Sequence, residues 1–176
     1  METLKAINNR KSVRSYTGAL TDEALQTILK AGEESPIGRA QYDTMHMTVI
    51  RNKELLSELD KNGAEFFGDP GIHPLYGAPC LILVSTIIPN PMEGNVQYSN
   101  AAMMVESMML AATDIGIGSC AIWGAVRGLN ANPELVAKLN LPEGHTACCG
   151  VVIGETEDKF GDRDIPTDRI SVSYIG

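Results

Sequence analysis

Arg10-Lys11-Ser12-Val13-Arg14-Ser15-Tyr16 places two guanidiniums and a hydroxyl within five residues. That set suits a phosphate monoester, because guanidinium donors pair two at a time with phosphate oxygens and a hydroxyl fills a further position. Over residues 1 to 20 the charged groups are Lys5, Arg10, Lys11 and Arg14 against Glu2 alone, inside a 176-residue chain whose formal charge is −8. A basic cluster that opposes the global sign points to a local anion. The alternative is a solvated helix end balanced by carboxylates elsewhere, and Ser12 between the arginines favours the anion. One small basic patch on an acidic chain is enough for a nucleotide-like cofactor and too little for a nucleic acid.

Other chemistries find little support. Gly116-Ile117-Gly118-Ser119-Cys120-Ala121 satisfies G-x-G-x-x-A, but a helical pattern precedes it where a dinucleotide site needs a strand. There is no G-x-x-x-x-G-K-[ST] and no G-x-S-x-G. His46, His73 and His145 are scattered, without H-E-x-x-H or cysteines at ligand spacing, so no metal site is expected. Glu106 reads as part of a polar stripe. Trp123-Gly124 reads either as a core aromatic before a turn, which the local sequence favours, or as a place where backbone N–H groups approach a flat ligand. No triad or carboxylate pair is present.

The elements that must position the basic segment alternate between helix and strand. Leu4 and Ile7 mark a short helix ending near Asn8-Asn9, whose carbonyl end favours the cations that follow. Thr21 caps a helix carrying Leu25, Ile28 and Leu29 and stopping at Gly32, and Asn52 caps another carrying Leu55, Leu56 and Leu59. Residues 45–50 have strand alternation. Residues 80–85 are a continuous apolar run of strand length, expected at the centre of a sheet.

The helix from about Ser99 to Ile115 is apolar except for a stripe at Asn100, Glu106-Ser107 and Thr113-Asp114, so it must be buried in the domain or against a second copy. Strands are expected at 119–123 and 146–153, a Gly-containing turn after Trp123, and a helix from Asn132-Pro133-Glu134 to about Asn140. The tail 170–175 reads as a half-buried strand, at the sheet edge or added to a partner's sheet. Length and composition suit one domain over 1–176. No secretory h-region or membrane span is visible, and Cys80, Cys120, Cys148 and Cys149 read as buried thiols in a reducing compartment, so the expected location is the cytoplasm.

The R-x-S-x-R stretch at Arg10, Ser12 and Arg14 resembles the opening segment of flavin-dependent nitroreductases. Ser35-Pro36-Ile37-Gly38 is similar to that family's small Pro/Ser/Gly loop, residues 111–120 to its helix-to-turn signature, and Leu139-Asn140-Leu141-Pro142-Glu143-Gly144 with Val151-Val152-Ile153-Gly154 to its L-x-L-P-E-G and closing strand. The resemblance implies an α+β, three-layer fold with a mostly antiparallel central sheet between helices. It also implies an intertwined homodimer with FMN at the interface. Carried over by position, Arg10, Ser12 and Arg14 would contact the phosphate and the pyrimidine side of the flavin, with Lys11 adjacent in the same cofactor-binding segment. Pro36, Ile37 and Gly38 would come from the other subunit, Ala121, Ile122, Trp123 and Gly124 would face the isoalloxazine, and Arg163 would return to the phosphate. The family's mid-chain polar ligand has no clear counterpart in 68–74, and Arg39-Ala40-Gln41-Tyr42-Asp43 replaces a longer loop.

The activity implied is ping-pong reduction of nitroaromatics, quinones or similar electron-poor acceptors by NADH or NADPH, through hydride transfer at flavin N5 that requires no catalytic side chain, with no membrane or nucleic-acid partner. Two other classes stay open: an FMN-binding protein that senses, stores or fragments the flavin, and a non-enzymatic dimeric module whose Met-rich helix is only an interface.

Overall fold

The caps expected from sequence form in the computed structural model, which describes residues 2–90, 94–166 and 168–176. Thr21 Oγ1 accepts from the Ala24 N–H at 3.2 Å, Asn52 Oδ1 from Leu55 at 2.8 Å and Asn132 Oδ1 from Leu135 at 3.1 Å. The elements run α1 (Thr3–Asn9), α2 (Asp22–Glu33), β1 (Met45–Ile50), α3 (Lys53–Phe66), β2 (Cys80–Ile87), α4 (Asn95–Asp114), β3 (Gly118–Ile122), α5 (Gly124–Asn130), α6 (Pro133–Ala137) and β4 (His145–Gly154). Short 3-10 turns at Gly38–Ala40 and Tyr42–Thr44 lead into β1.

The strands form one sheet in the order β1-β2-β4-β3, with every pairing antiparallel. Cys80 lies opposite Ile153 and Leu83 opposite Gly150, so β2 and β4 occupy the centre and are buried almost throughout. Side-chain alternation then divides the core. Ile82, Val84, Val151 and Ile153 pack under α2 and α4, while Leu81, Leu83 and Val152 pack under α3, α5 and α6. The result is the expected α+β arrangement of a sheet between two helical layers.

Four expectations change. Residues 124–130 are a helix and not a turn: Ala125, Val126 and Leu129 are buried on one face, and Gly128 is there because a Cβ would lie 2.7 Å from Phe66 Cβ on α3. The glycines are close-approach positions, not breakers. Helix α6 stops at Ala137, with Asn140 in the left-handed region at φ 49°. Helix α4 starts a turn earlier, at Asn95, and its polar stripe is wet only in part, since Asn100 and Thr113 are buried while Glu106 and Asp114 are exposed. The tail 170–175 forms no strand on this chain's own sheet, and Ile170, Val172 and Tyr174 are exposed. The segment ahead of α2 lies beside β3 instead, through the Val13 N–H to Ser119 O bond at 2.8 Å and a bridge between Gly18 and Glu155.

All four cysteines are free and buried. Burial pushes Cys80 and Cys148 up to about 11 and Cys149 up to about 12, which makes them inert packing groups.

At one end of the sheet the His46 and His145 rings stand edge to face, 6.0 Å apart, with Ser85 Oγ 3.2 Å from His145 Nδ1. Burial first, then repulsion from His46, pull His145 below the ordinary imidazole range, while a bond with Ser85 works the other way. A histidine depressed in the fold binds fewer protons folded than unfolded. Its contribution is therefore intact above the ordinary value of about 6.5 and is lost as pH falls below it. His145→Gln is expected to flatten the decline in melting temperature between neutral and mildly acidic pH, measured by thermal denaturation across that range.

Candidate functional site

Helix α1 ends where the Arg10 N–H bonds back to Ala6 O, and the chain then runs along β3. Val13, wholly buried and bonded to Ser119, pins the segment, and the Tyr16 hydroxyl donates to Val13 O at 2.8 Å. Arg10, Ser12 and Arg14 alternate with this anchor and stay at or near the surface. Arg10 Nε meets Glu106 Oε1 of α4 at 3.3 Å, and Lys11 Nζ meets Asp158 Oδ2 at 3.2 Å. Glu106 is thus a surface ion-pair partner, as its place on the polar stripe suggests.

The Arg14 guanidinium lies over the Tyr76 ring, 5.5 Å from its centroid, and the hydrogen bond to Tyr76 raises it above even the ordinary arginine value. It is a fixed positive charge. Tyr76 itself sits at φ 56°, in a turn closed by its N–H to His73 O at 2.8 Å and followed by Gly77 at φ 66°. A bulky residue in the left-handed region stores strain, and strained residues concentrate at functional positions.

Arg14, Tyr76, Phe67, Ile72 and Pro74 line an open cleft of about 900 Å³. Gly124 adjoins it: a Cβ at that position would come within 2.1 Å of Phe67 Cζ. The cleft therefore joins three separate stretches, the basic segment, residues 67–77 and the start of α5. Residues 68–74, where the sequence offered no ligand, supply Ile72, His73 and Pro74 to it. Tyr76 went unrecognised, and the only trace of it in the sequence is the Tyr76-Gly77 turn.

A profile of the Nitroreductase family matches residues 7–155. The chain belongs to the nitroreductase family. A curated protein of Methanothermobacter thermautotrophicus, provisionally named as an NADH dehydrogenase/NAD(P)H nitroreductase, is 27% identical over 97% of this chain and 86% of its own length. Among solved structures, a nitroreductase with bound FMN from Desulfitobacterium hafniense DCB-2 superposes with a TM-score of 0.83 at 25% identity, covering 99% of this chain and 100% of that one. A second with bound FMN, from Bacteroides fragilis NCTC 9343, gives 0.82 at 29% identity with the same coverage.

The remaining predicted site residues of this nitroreductase-family chain fall in two places. Ala121 is exposed on β3, and Trp123 is 55% exposed, with its ring 5.9 Å from that of Tyr98, so it is not a core aromatic. Ile122 is buried among the residues under α5 and offers only its backbone. Arg163 donates to Ile7 O at 3.1 Å and to Asn8 O, occupying the carbonyl end of α1 where a cation is favoured. That brings it beside the start of the basic segment.

Pro36, Ile37 and Gly38 lie elsewhere. The Gly38 N–H donates to Asn100 Oδ1 at 3.0 Å near the start of α4, and Ile37 lines a separate cavity of about 350 Å³ with Met45, His46 and Met104. Within one chain these three residues do not line the Arg14 cleft. Among the described residues no group of His, Cys, Asp or Glu could hold a metal ion, and no helix is long and apolar enough to cross a membrane.

Proposed function

We propose that this single-domain chain is an FMN-dependent NAD(P)H oxidoreductase that acts as a homodimer and reduces nitroaromatic, quinone or similar electron-poor acceptors. The observation that carries the reading is the cleft where Arg14 and Tyr76 meet Phe67 and the start of α5. Its surroundings fit FMN: the Arg14 guanidinium, with Arg10 and Ser12 on the same segment, for an anion, the Phe67 and Tyr76 rings for a planar group, and Gly124 beside Phe67 where a flat group can approach the backbone. The FMN bound in two relatives of at least 25% identity supports the same assignment.

Arg10, Lys11, Ser12 and Arg14 would bind the phosphate and the pyrimidine side, Arg163 would close that end, and Ala121 to Gly124 would line the ring. FMN held by these residues would supply a two-electron carrier between a nicotinamide donor and the acceptor. The fixed charge of Arg14 would favour an anionic reduced ring. Glu106 holds Arg10 in place, and buried Val13 keeps the segment against β3. A partner subunit would bring its Pro36, Ile37 and Gly38 to complete the site, since within one chain they do not line the Arg14 cleft. Leu4 at 80% exposed, with Ile7 and Met103, gives such a partner an apolar surface.

The test is an absorbance spectrum of protein reconstituted with FMN, followed by anaerobic titration with NADH and NADPH. A retained flavin that bleaches is expected. A retained flavin that stays yellow favours a storage or sensing role, and protein that does not retain FMN overturns the assignment.

A further inference from the structure

Asp60 on α3 and His73 form a pair that the binding role leaves unused. Asp60 Oδ2 lies 2.7 Å from His73 Nδ1, while its Oδ1 accepts the Leu75 N–H at 2.8 Å. One carboxylate thus fixes both the imidazole and the turn that carries Tyr76. The Asp60 side chain is only 17% exposed, whereas His73 is 74% exposed and lines the same cleft as Arg14 and Phe67. A carboxylate at Nδ1 keeps a hydrogen there and leaves Nε2 as the nitrogen that exchanges protons with the cleft.

We propose that His73, oriented by Asp60, is the proton donor to the electron acceptor. The proposal rests on the flavin assignment above. A quinone that takes hydride, one hydrogen with two electrons, from flavin reduced by NAD(P)H also needs one proton to become the quinol. The quinone is reduced and the flavin oxidised. As the second O–H bond forms, the Nε2–H bond of the imidazolium breaks, leaving a neutral ring whose remaining hydrogen sits on Nδ1 against Asp60, and solvent returns the proton. A nitro group balances the same way: hydride and one proton convert it to nitroso and water. His73 is then a catalytic residue and Asp60 a positioning residue.

The discriminating acceptor is ferricyanide, which takes electrons without protons. In His73→Gln, the ratio of quinone to ferricyanide rates for reoxidation of prereduced protein is expected to fall about tenfold, below the roughly 10²–10⁴-fold usual for acid catalysis because water reaches the exposed site. In flavin-free protein, nitrogen NMR of the neutral His73 ring is expected to show the Nδ1–H tautomer, replaced by Nε2–H in Asp60→Asn, whose amide would donate to Nδ1. An unchanged rate ratio with bleaching intact overturns the proton-donor role alone, and a neutral ring already in the Nε2–H form overturns the part of Asp60. Protein that retains FMN but never bleaches overturns the reductase reading, protein that retains none overturns the flavin assignment, and either result takes this inference with it.

Discussion

Replacing Arg10 and Arg14 together by alanine is expected to weaken FMN binding about 100-fold, as measured by fluorescence titration of flavin-free protein. Hydrogen bonds between ionised partners contribute about 1.5–3 kcal/mol each, and the lower value applies to Arg14, which is exposed. Two such losses amount to about 3 kcal/mol, or roughly two decades in the dissociation constant. The fold should survive, because Val13 and its bond to Ser119 hold the segment without either guanidinium.

The single variants should separate two effects. Arg10→Ala removes a donor and also frees the Glu106 carboxylate, 3.3 Å away, to repel a phosphate. Glu106→Gln in the Arg10→Ala background should therefore recover part of the affinity. Arg14→Lys should recover little of the Arg14→Ala loss, since an ammonium cannot reproduce a planar guanidinium lying over Tyr76. Affinity that ignores all of these changes would remove the basic segment from the cofactor site.

What the sequence exposed about this site depended on how local each determinant was. Thr21, Asn52 and Asn132 bond to groups three residues away, so their caps were readable one by one. The apolar run at β2 announced two covered faces. The cleft is different in kind. Phe67, Pro74 and Tyr76 reach Arg14 because α3 and the turn after it fold back across the second core, and no periodicity encodes that meeting. Helix α5 was read as a turn because a glycine every fourth residue looks like a breaker until the Phe66 and Phe67 rings that demand it are in place. The alternation of 170–175 is genuine, but alternation says that a segment can be a strand and not which edge will accept it.

Met108→Ala is expected to destabilise the protein by about 2–5 kcal/mol and to weaken flavin binding although Met108 is not itself a predicted ligand residue. Met108 is completely buried in the core formed by α2, α4 and the sheet. Helix α2 crosses it so closely that a Cβ on Gly32 would meet Met108 Cγ at 3.1 Å, so truncating Met108 removes the side chain on which that crossing packs. The second effect follows from what α4 carries. Asn100 holds the Gly38 N–H, Glu106 holds Arg10, and Tyr98 stands against Trp123, so three of the predicted ligand segments hang on one helix. Met108 fixes that helix to the sheet. Met103→Ala on the exposed side of α4 should barely alter the stability of a single chain, and should instead raise the protein concentration needed for dimerisation. Urea denaturation, flavin titration and sedimentation of the two variants would separate these roles. Equal stability losses at fixed protein concentration would mean that α4 is held mainly by the partner and not by its own sheet.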